Sequence, residues 1–193
     1  MNIKANDARR PVSIVVIGAG NRANKYLEYA KINPDKVQLV GVVELNDIRR
    51  NKVAERFGLD ASQCCSDYKT FFHNPVKSDA ILICTPENMH FEPSMMAIRK
   101  GFHVLLEKPI AQTLEECIAI GKAAKEKGVI VAVCHVLRYH PYFMKIKELI
   151  DTEELGRIIS INHHIDGIPL YFQKDFQILQ SGLLYLSKTP RSQ

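Results

Sequence analysis

The sequence predicts an α/β protein: a doubly wound parallel sheet over residues 1–134, followed over residues 135–193 by an incomplete second domain of α+β type. Three observations lead there. Five short runs rich in Val, Ile and Leu carry no clean polar alternation, as befits parallel strands buried on both faces. Helical periods fill the gaps between those runs, with short connections, and such strand–helix alternation is the signature of a parallel sheet. A glycine-rich turn joins the first run to the first helix.

The strand runs are residues 12–17, 37–43, 79–84, 102–106 and 129–134, with a weaker one at 64–66. Ala23, Tyr26, Leu27 and Ala30 recur at i, i+3, i+4 and i+7, one apolar stripe on a first helix. Val53, Ala54 and Phe57 mark a second, stopped by Gly58. Pro93 suits the first turn of another, which continues through Met96, Ala97 and Lys100 to Gly101. Thr113 with Glu116 three residues on forms a capping box, and that helix ends before Gly128. Beyond Cys134 the texture changes: His135 to His140 lead to a helix over 141–150 and a strand over 157–163. Past Asp166 no periodicity is recognisable, although 179–186 is apolar, and irregular packing or poor order is expected there.

Composition narrows the class. With 46% hydrophobic and 24% charged residues the chain is neither disordered nor collagen-like. Its first apolar run is too short for a signal sequence or a membrane span, which predicts a cytoplasmic protein with no membrane partner. The five cysteines show no C-x-x-C spacing, so they predict small buried hydrophobes rather than a zinc site or redox pair. The net charge of +5 is scattered, without the concentrated basic stripe of a nucleic-acid surface. His163, His164 and Asp166 are poorly spaced for a metal on a strand, where neighbours face opposite ways; no metal site is expected.

The turn Gly18-Ala19-Gly20-Asn21-Arg22-Ala23 follows a strand and opens a helix, the context in which G-x-G-x-x-A has a physical meaning. Gly18 allows the tight turn, Gly20 lets a pyrophosphate approach the backbone, and Ala23 allows close packing of helix on strand. Asn21 and Arg22 open the helix whose free N–H groups favour the ligand's negative charge. An acidic residue about 20 positions on completes the dinucleotide fingerprint of a Rossmann domain, and Glu44 stands at the end of the second strand. A carboxylate there accepts hydrogen bonds from both ribose hydroxyls and repels a 2′-phosphate. That favours NAD, while Arg49 and Arg50 keep NADP possible.

At the end of the fifth strand stands Gly101-Phe102-His103-Val104-Leu105-Leu106-Glu107-Lys108-Pro109. Ligands of open parallel sheets bind beyond the carboxyl ends of the strands, so Lys108 sits at the mouth of such a site. It could shuttle a substrate proton, or serve only in a surface ion pair. Here the sequence resembles the Gfo/Idh/MocA family of oxidoreductases, on Gly18-x-Gly20-x-x-Ala23, on Thr85-Pro86 with Asn88 and His90, and on Gly101 through Pro109. The resemblance covers roughly residues 12–164. It implies a two-domain NAD(P)-dependent enzyme acting on a hydroxyl or carbonyl of a carbohydrate-like small molecule, with Lys108 catalytic and in contact with substrate. It implies a cofactor-side role for Glu107 and a loop along the cofactor for Thr85, Pro86, Asn88 and His90; His90 could instead cap the following helix. His135 and Arg138 follow the sixth strand, where such proteins contact substrate, unless Arg138 only anchors the crossover. The family's second domain supplies most of the substrate pocket and usually the oligomer interface, so a homo-oligomer is possible. Its further Asp/His pair has no counterpart here. The alternative expectation is therefore a truncated nucleotide-binding module without catalytic activity.

Overall fold

The computed structural model describes residues 10–162 and 185–188. The chain divides into two compact units, residues 1–135 and 136–193.

In the first unit the elements run β1 (Val12–Ile17), α1 (Asn21–Ile32), β2 (Val37–Val43), α2 (Asp47–Phe57), β3 (Cys64–Cys65), α3 (Tyr68–His73), β4 (Ala80–Ile83), α4 (Phe91–Arg99), β5 (His103–Leu106), α5 (Leu114–Lys127) and β6 (Val131–Val133). One six-stranded sheet results, in the order β3-β2-β1-β4-β5-β6. Every neighbouring pair in it is parallel. The chain starts in the middle and winds first one way and then the other, so the order switches between β1 and β4, where a crevice opens at the carboxyl ends.

The lack of alternation in the strands has a direct cause. Val15 and Ile17 of β1 face a core with Ile81, Ile83, Val104 and Leu106, covered by Phe72 of α3, Ile98 of α4 and Ile120 of α5. Val16, between them, faces the opposite core with Val42 and Leu82, covered by Ala23 and Leu27 of α1 and Val53 of α2. Successive residues point to opposite faces, and both faces are packed.

The helix ends follow the residues that encode them. Thr113 accepts from the Glu116 N–H while the Glu116 carboxylate reaches back, the reciprocal box expected at the start of α5. Gly58 and Gly128 take left-handed φ of 64° and 67°, closing α2 and α5. The six-residue helix α3 was not predicted; Asp67 caps it by accepting from Thr70 N–H at 2.7 Å. All five cysteines are free thiols, but only Cys134 is buried, the other four being half-buried. The expectation of small buried hydrophobes holds with that qualification: Cys64, Cys65, Cys84 and Cys117 are half-buried and pack against the two cores.

Asp79, just before β4, ties the sheet to the start of the chain. Its carboxylate accepts two bonds from the Arg10 guanidinium at 2.7 Å and further bonds from the Ser13 N–H and hydroxyl at 2.8 Å. The Arg10 bond, followed by those from Ser13, holds its pKa well below the usual carboxylate range. A depressed folded-state pKa contributes stability above the unfolded value of about 3.9, lost as pH falls from there towards the folded value. Arg10 is half-exposed, so solvent discounts the ion pair, and the net worth rests mainly on Ser13, about 1–2 kcal/mol. Asp79→Asn is expected to lower the Tm at pH 7 by roughly 2–8 °C and to flatten the loss of stability below about pH 4. Thermal melts of both proteins across pH 2–7 check it, and parallel curves would refute it.

The second unit holds a 3-10 turn at Val136–Tyr139, α6 (Pro141–Asp151) and β7 (Ile158–Asn162), which pairs antiparallel with β8 (Tyr185–Lys188). Pro141 begins α6, where its missing N–H costs nothing. Irregular packing past Asp166 was the expectation; β8 lies within that stretch and pairs with β7 through a shifted register, and the remainder lies outside the described residues. His163, His164 and Asp166 also lie outside them. Among the described residues no helix is long and apolar enough to cross a membrane, and no group of three or more His, Cys, Asp or Glu is placed to hold a metal ion.

Candidate functional site

The turn between β1 and α1 is pressed against the end of β4. Gly18 has φ +87°, and a Cβ there would lie 2.8 Å from the backbone carbon and oxygen of Cys84 and 2.9 Å from Thr85 N. Its own N–H donates to Val43 O at 2.8 Å, locking the turn to β2. Gly20 is different in kind: its backbone is extended, and a Cβ there meets nothing within 4 Å. It opens onto a cleft. Helix α1 starts at Asn21 with no side-chain cap bond from Gly20 and no acidic residue in its first turn. Its first N–H groups and dipole are thus set up for an anion from outside. Ala23 is fully buried, which lets α1 pack tightly on the sheet.

Glu44 leaves β2 and turns its carboxylate onto this turn. One oxygen accepts from Ala19 N–H at 2.6 Å, and the other from Asn46 N–H at 2.9 Å. Arg50 donates to the Glu44 carbonyl at 2.6 Å and pairs with Asp47, so it braces the start of α2.

The cleft measures about 470 Å³, within the range of small-molecule sites. Gly18, Gly20, Asn21 and Arg22 enter from the turn, Glu44 from β2, and Thr85 and Pro86 from beyond β4. Reasoning from sequence missed Leu45, Ser66, Asp67, Tyr68 and Met89, which also line it. Their signal was positional: Leu45, Ser66, Asp67 and Tyr68 come within three residues of the carboxyl end of a strand, and Met89 closes the 3-10 turn in the loop after β4. Leu45 and Met89 leave apolar surface exposed there. The Tyr68 hydroxyl donates to Glu92 at 2.7 Å; burial and that bond push its pKa up to about 12. Arg49 lines this cleft and also a smaller hollow of about 260 Å³ beside Gly20, where it meets Asn24 and Lys52.

The pair Glu107-Lys108 lies past the end of β5. Glu107 is 6% exposed. The Tyr26 hydroxyl donates to its Oε1, Arg22 Nε lies 3.5 Å from the same oxygen, and the Lys108 N–H donates to Oε2 at 3.1 Å. Burial, then the neighbouring Cys134 and Glu107, push the Tyr26 phenol up, so it stays an O–H donor. Burial followed by the Glu107 carboxylate likewise pushes up the Cys84 thiol. Lys108 itself is exposed, and its peptide bond to Pro109 is cis.

His90 stands at the N-cap position of α4, as one of its two expectations had it, although its side chain makes no cap bond there. It is 1% exposed. Nδ1 lies 2.6 Å from Pro109 O and Nε2 3.0 Å from Thr85 O. The ring braces the loop after β4 against the Lys108-Pro109 turn from behind the cleft. Asn88 is exposed on the 3-10 turn Glu87–Met89 and does not line the cleft. Glu107 does not line it either. His135 is exposed directly after β6 in the first unit, and Arg138 is exposed in the second unit.

The arrangement fits a dinucleotide: a glycine cradle at a helix whose own first turn has no acidic residue, a carboxylate at the end of β2, and a lysine at the end of β5. Comparison with known proteins agrees. A family model described as an oxidoreductase family with an NAD-binding Rossmann fold matches residues 12–135. Oxidoreductase P35 of Formosa agariphila is 31% identical over 145 residues, covering 75% of this chain and 44% of that protein. The scyllo-inositol 2-dehydrogenase (NADP(+)) of Bacillus subtilis is 39% identical over 80 residues, covering 42% of this chain and 22% of that protein. The WlbA dehydrogenase of Chromobacterium violaceum, solved with NADH and UDP-GlcNAcA, superposes with a TM-score of 0.78 at 22% identity, a likeness of fold; it covers 86% of this chain and 47% of that one. The chain thus spans less than half the length of each of these relatives.

Proposed function

The chain belongs to the Gfo/Idh/MocA family of oxidoreductases, with its NAD-binding Rossmann fold, and from that premise we propose that it serves the oxidation or reduction of a hydroxyl or carbonyl on a sugar- or polyol-like substrate. The observation that carries this reading is that the glycine cradle and Glu44 line one cleft, while Lys108 follows the end of β5 at the same carboxyl edge of the sheet.

Gly18, Gly20 and the first turn of α1, with Asn21 and Arg22, hold the pyrophosphate. The Glu44 oxygens keep lone pairs beyond their bonds to Ala19 and Asn46 and accept from the adenosine ribose hydroxyls. Thr85 and Pro86 form the opposite wall, and Leu45 and Met89 offer apolar surface to the adenine. NAD supplies the hydride-accepting ring. Lys108 takes the proton of the substrate hydroxyl in the oxidation direction and returns it to the oxygen in reduction. His135 and Arg138 are proposed to contact substrate.

Titration with NADH and NADPH by fluorescence tests the cofactor half. NADH is expected to bind at least about tenfold more tightly, because the Glu44 carboxylate repels a 2′-phosphate; Arg49 and Lys52, beside Gly20, set the residual affinity for NADPH. Absence of binding by both nucleotides would overturn the reading. Turnover with a panel of inositols, sugars and glucosides tests the chemistry. Binding without any turnover would favour the second reading, a nucleotide-binding module, which draws on the cleft's lining residues all lying in the first unit.

A further inference from the structure

We propose that Tyr26 is a positioning residue for Lys108, acting through the buried carboxylate of Glu107. The proposal rests on the reading of Lys108 as the proton-transfer group.

Tyr26 falls on the apolar stripe of α1 by sequence, beside Ala23 and Leu27, yet its hydroxyl ends on Glu107. Arg22, four residues earlier and so on the same helix face, reaches the same oxygen from 3.5 Å with a side chain 50% exposed. Helix α1 thereby grips Glu107 Oε1 twice, once with a neutral donor and once with a charge. The other oxygen curls back onto the N–H of the next residue, Lys108, at 3.1 Å. The Glu107 N–H is itself fixed to Ile83 O at 3.0 Å, the last rung joining this end of β5 to β4. The carboxylate is therefore the group that carries the order of the sheet one residue further, onto the backbone from which the Lys108 side chain departs.

A carboxylate that is 6% exposed must have its lone pairs met. Without the Tyr26 hydroxyl, Oε1 keeps only a long contact to a half-exposed guanidinium. Turning towards solvent then becomes the favourable course for the carboxylate, and the Lys108 N–H loses its acceptor. Because Glu107 does not line the cleft, the effect falls on the lysine rather than on the grip of the cofactor. The start of the same helix faces the pyrophosphate site, so α1 holds the cradle at one place and the lysine at another.

Amide hydrogen exchange and kinetics on the full chain test this together. In Tyr26→Phe the Lys108 amide is expected to exchange about tenfold faster or more, while the Glu107 and Val16 amides keep their protection. NADH affinity stays within about threefold of wild type, and kcat on the substrate panel falls about tenfold with KM for NAD unchanged. In a Glu107→Ala background Tyr26→Phe adds no further loss of kcat, because the hydroxyl is proposed to act through that carboxylate and not through its other neighbour, the Cys134 thiol. An unchanged Lys108 amide in Tyr26→Phe overturns the proposal, as does a tenfold loss of NADH affinity in Glu107→Gln, which would make Glu107 a cofactor ligand. Should Tyr26→Phe lose protection throughout, Arg22→Gln, at a half-exposed site, carries the same amide comparison. If the wild-type chain turns over nothing on the panel, the catalytic reading fails by itself, and the exchange measurement still decides this one.

Discussion

Gly18→Ala is expected to destabilise the first unit by about 2–6 kcal/mol and to abolish measurable NADH binding. Two costs add. The residue sits at φ +87°, a conformation that strains any side chain by about 1–3 kcal/mol. The added Cβ would also stand 2.8 Å from the backbone of Cys84 and 2.9 Å from Thr85 N. A peptide group cannot rotate away as a side-chain tip can, so the contact is relieved only by moving a strand end, at about 1–3 kcal/mol more. The strand end in question carries the opposite wall of the cleft and is tied through Thr85 O to His90. The expected fall in Tm is roughly 5–20 °C, and NADH affinity should fall at least about 100-fold. Gly20→Ala is the informative contrast. Its Cβ meets nothing within 4 Å and its backbone suits alanine, so the melting curve should move by no more than about 2 °C, while NADH affinity falls because the methyl occupies the approach of the pyrophosphate. Equal thermal losses in both variants would show that the two glycines do not divide the work this way.

That division was partly legible before any coordinates. G-x-G-x-x-A after an apolar run fixes a strand, a turn and a helix, because only glycine tolerates the turn and only a small residue fits at Ala23. The capping box at Thr113 and the stop at Gly128 were equally local signals, and both ends fall where they were expected. What could not be read depends on contacts between distant segments. The helix α3 has only six residues with Phe71 and Phe72 adjacent, too short for a period to show. The sequence places His90 near the cofactor loop but does not reveal that its ring faces two carbonyls inside the protein. Tyr26 reads as an apolar stripe residue because the stripe is set by its ring; the partner of its hydroxyl is 81 residues away. Glu44 was placed correctly at the end of β2, yet its bonds to Ala19 and Asn46 became visible only in three dimensions.

Lys108→Ala is expected to remove turnover, by about 10²–10⁴-fold, while NADH affinity stays within about threefold of wild type. The side chain is exposed and its residue does not line the cleft, so the fold loses little, about 0.5 kcal/mol as at other surface positions. Loss of kcat with binding retained separates a proton-transfer group from one that merely holds the cofactor. Lys108→Arg sharpens the test. Arginine keeps the positive charge and can still donate hydrogen bonds, but it does not give up its proton at any workable pH. If Lys108 acts only by attracting substrate, the arginine variant retains much of the wild-type rate; if it moves a proton, that variant is as poor as alanine in the oxidation direction. Steady-state rates with both variants, alongside NADH titrations, decide between the two. A Lys108→Ala protein that kept more than about a tenth of the wild-type rate would transfer the role to another titratable side chain at the carboxyl edge of the sheet. His135, exposed directly after β6, would then be the position to replace next.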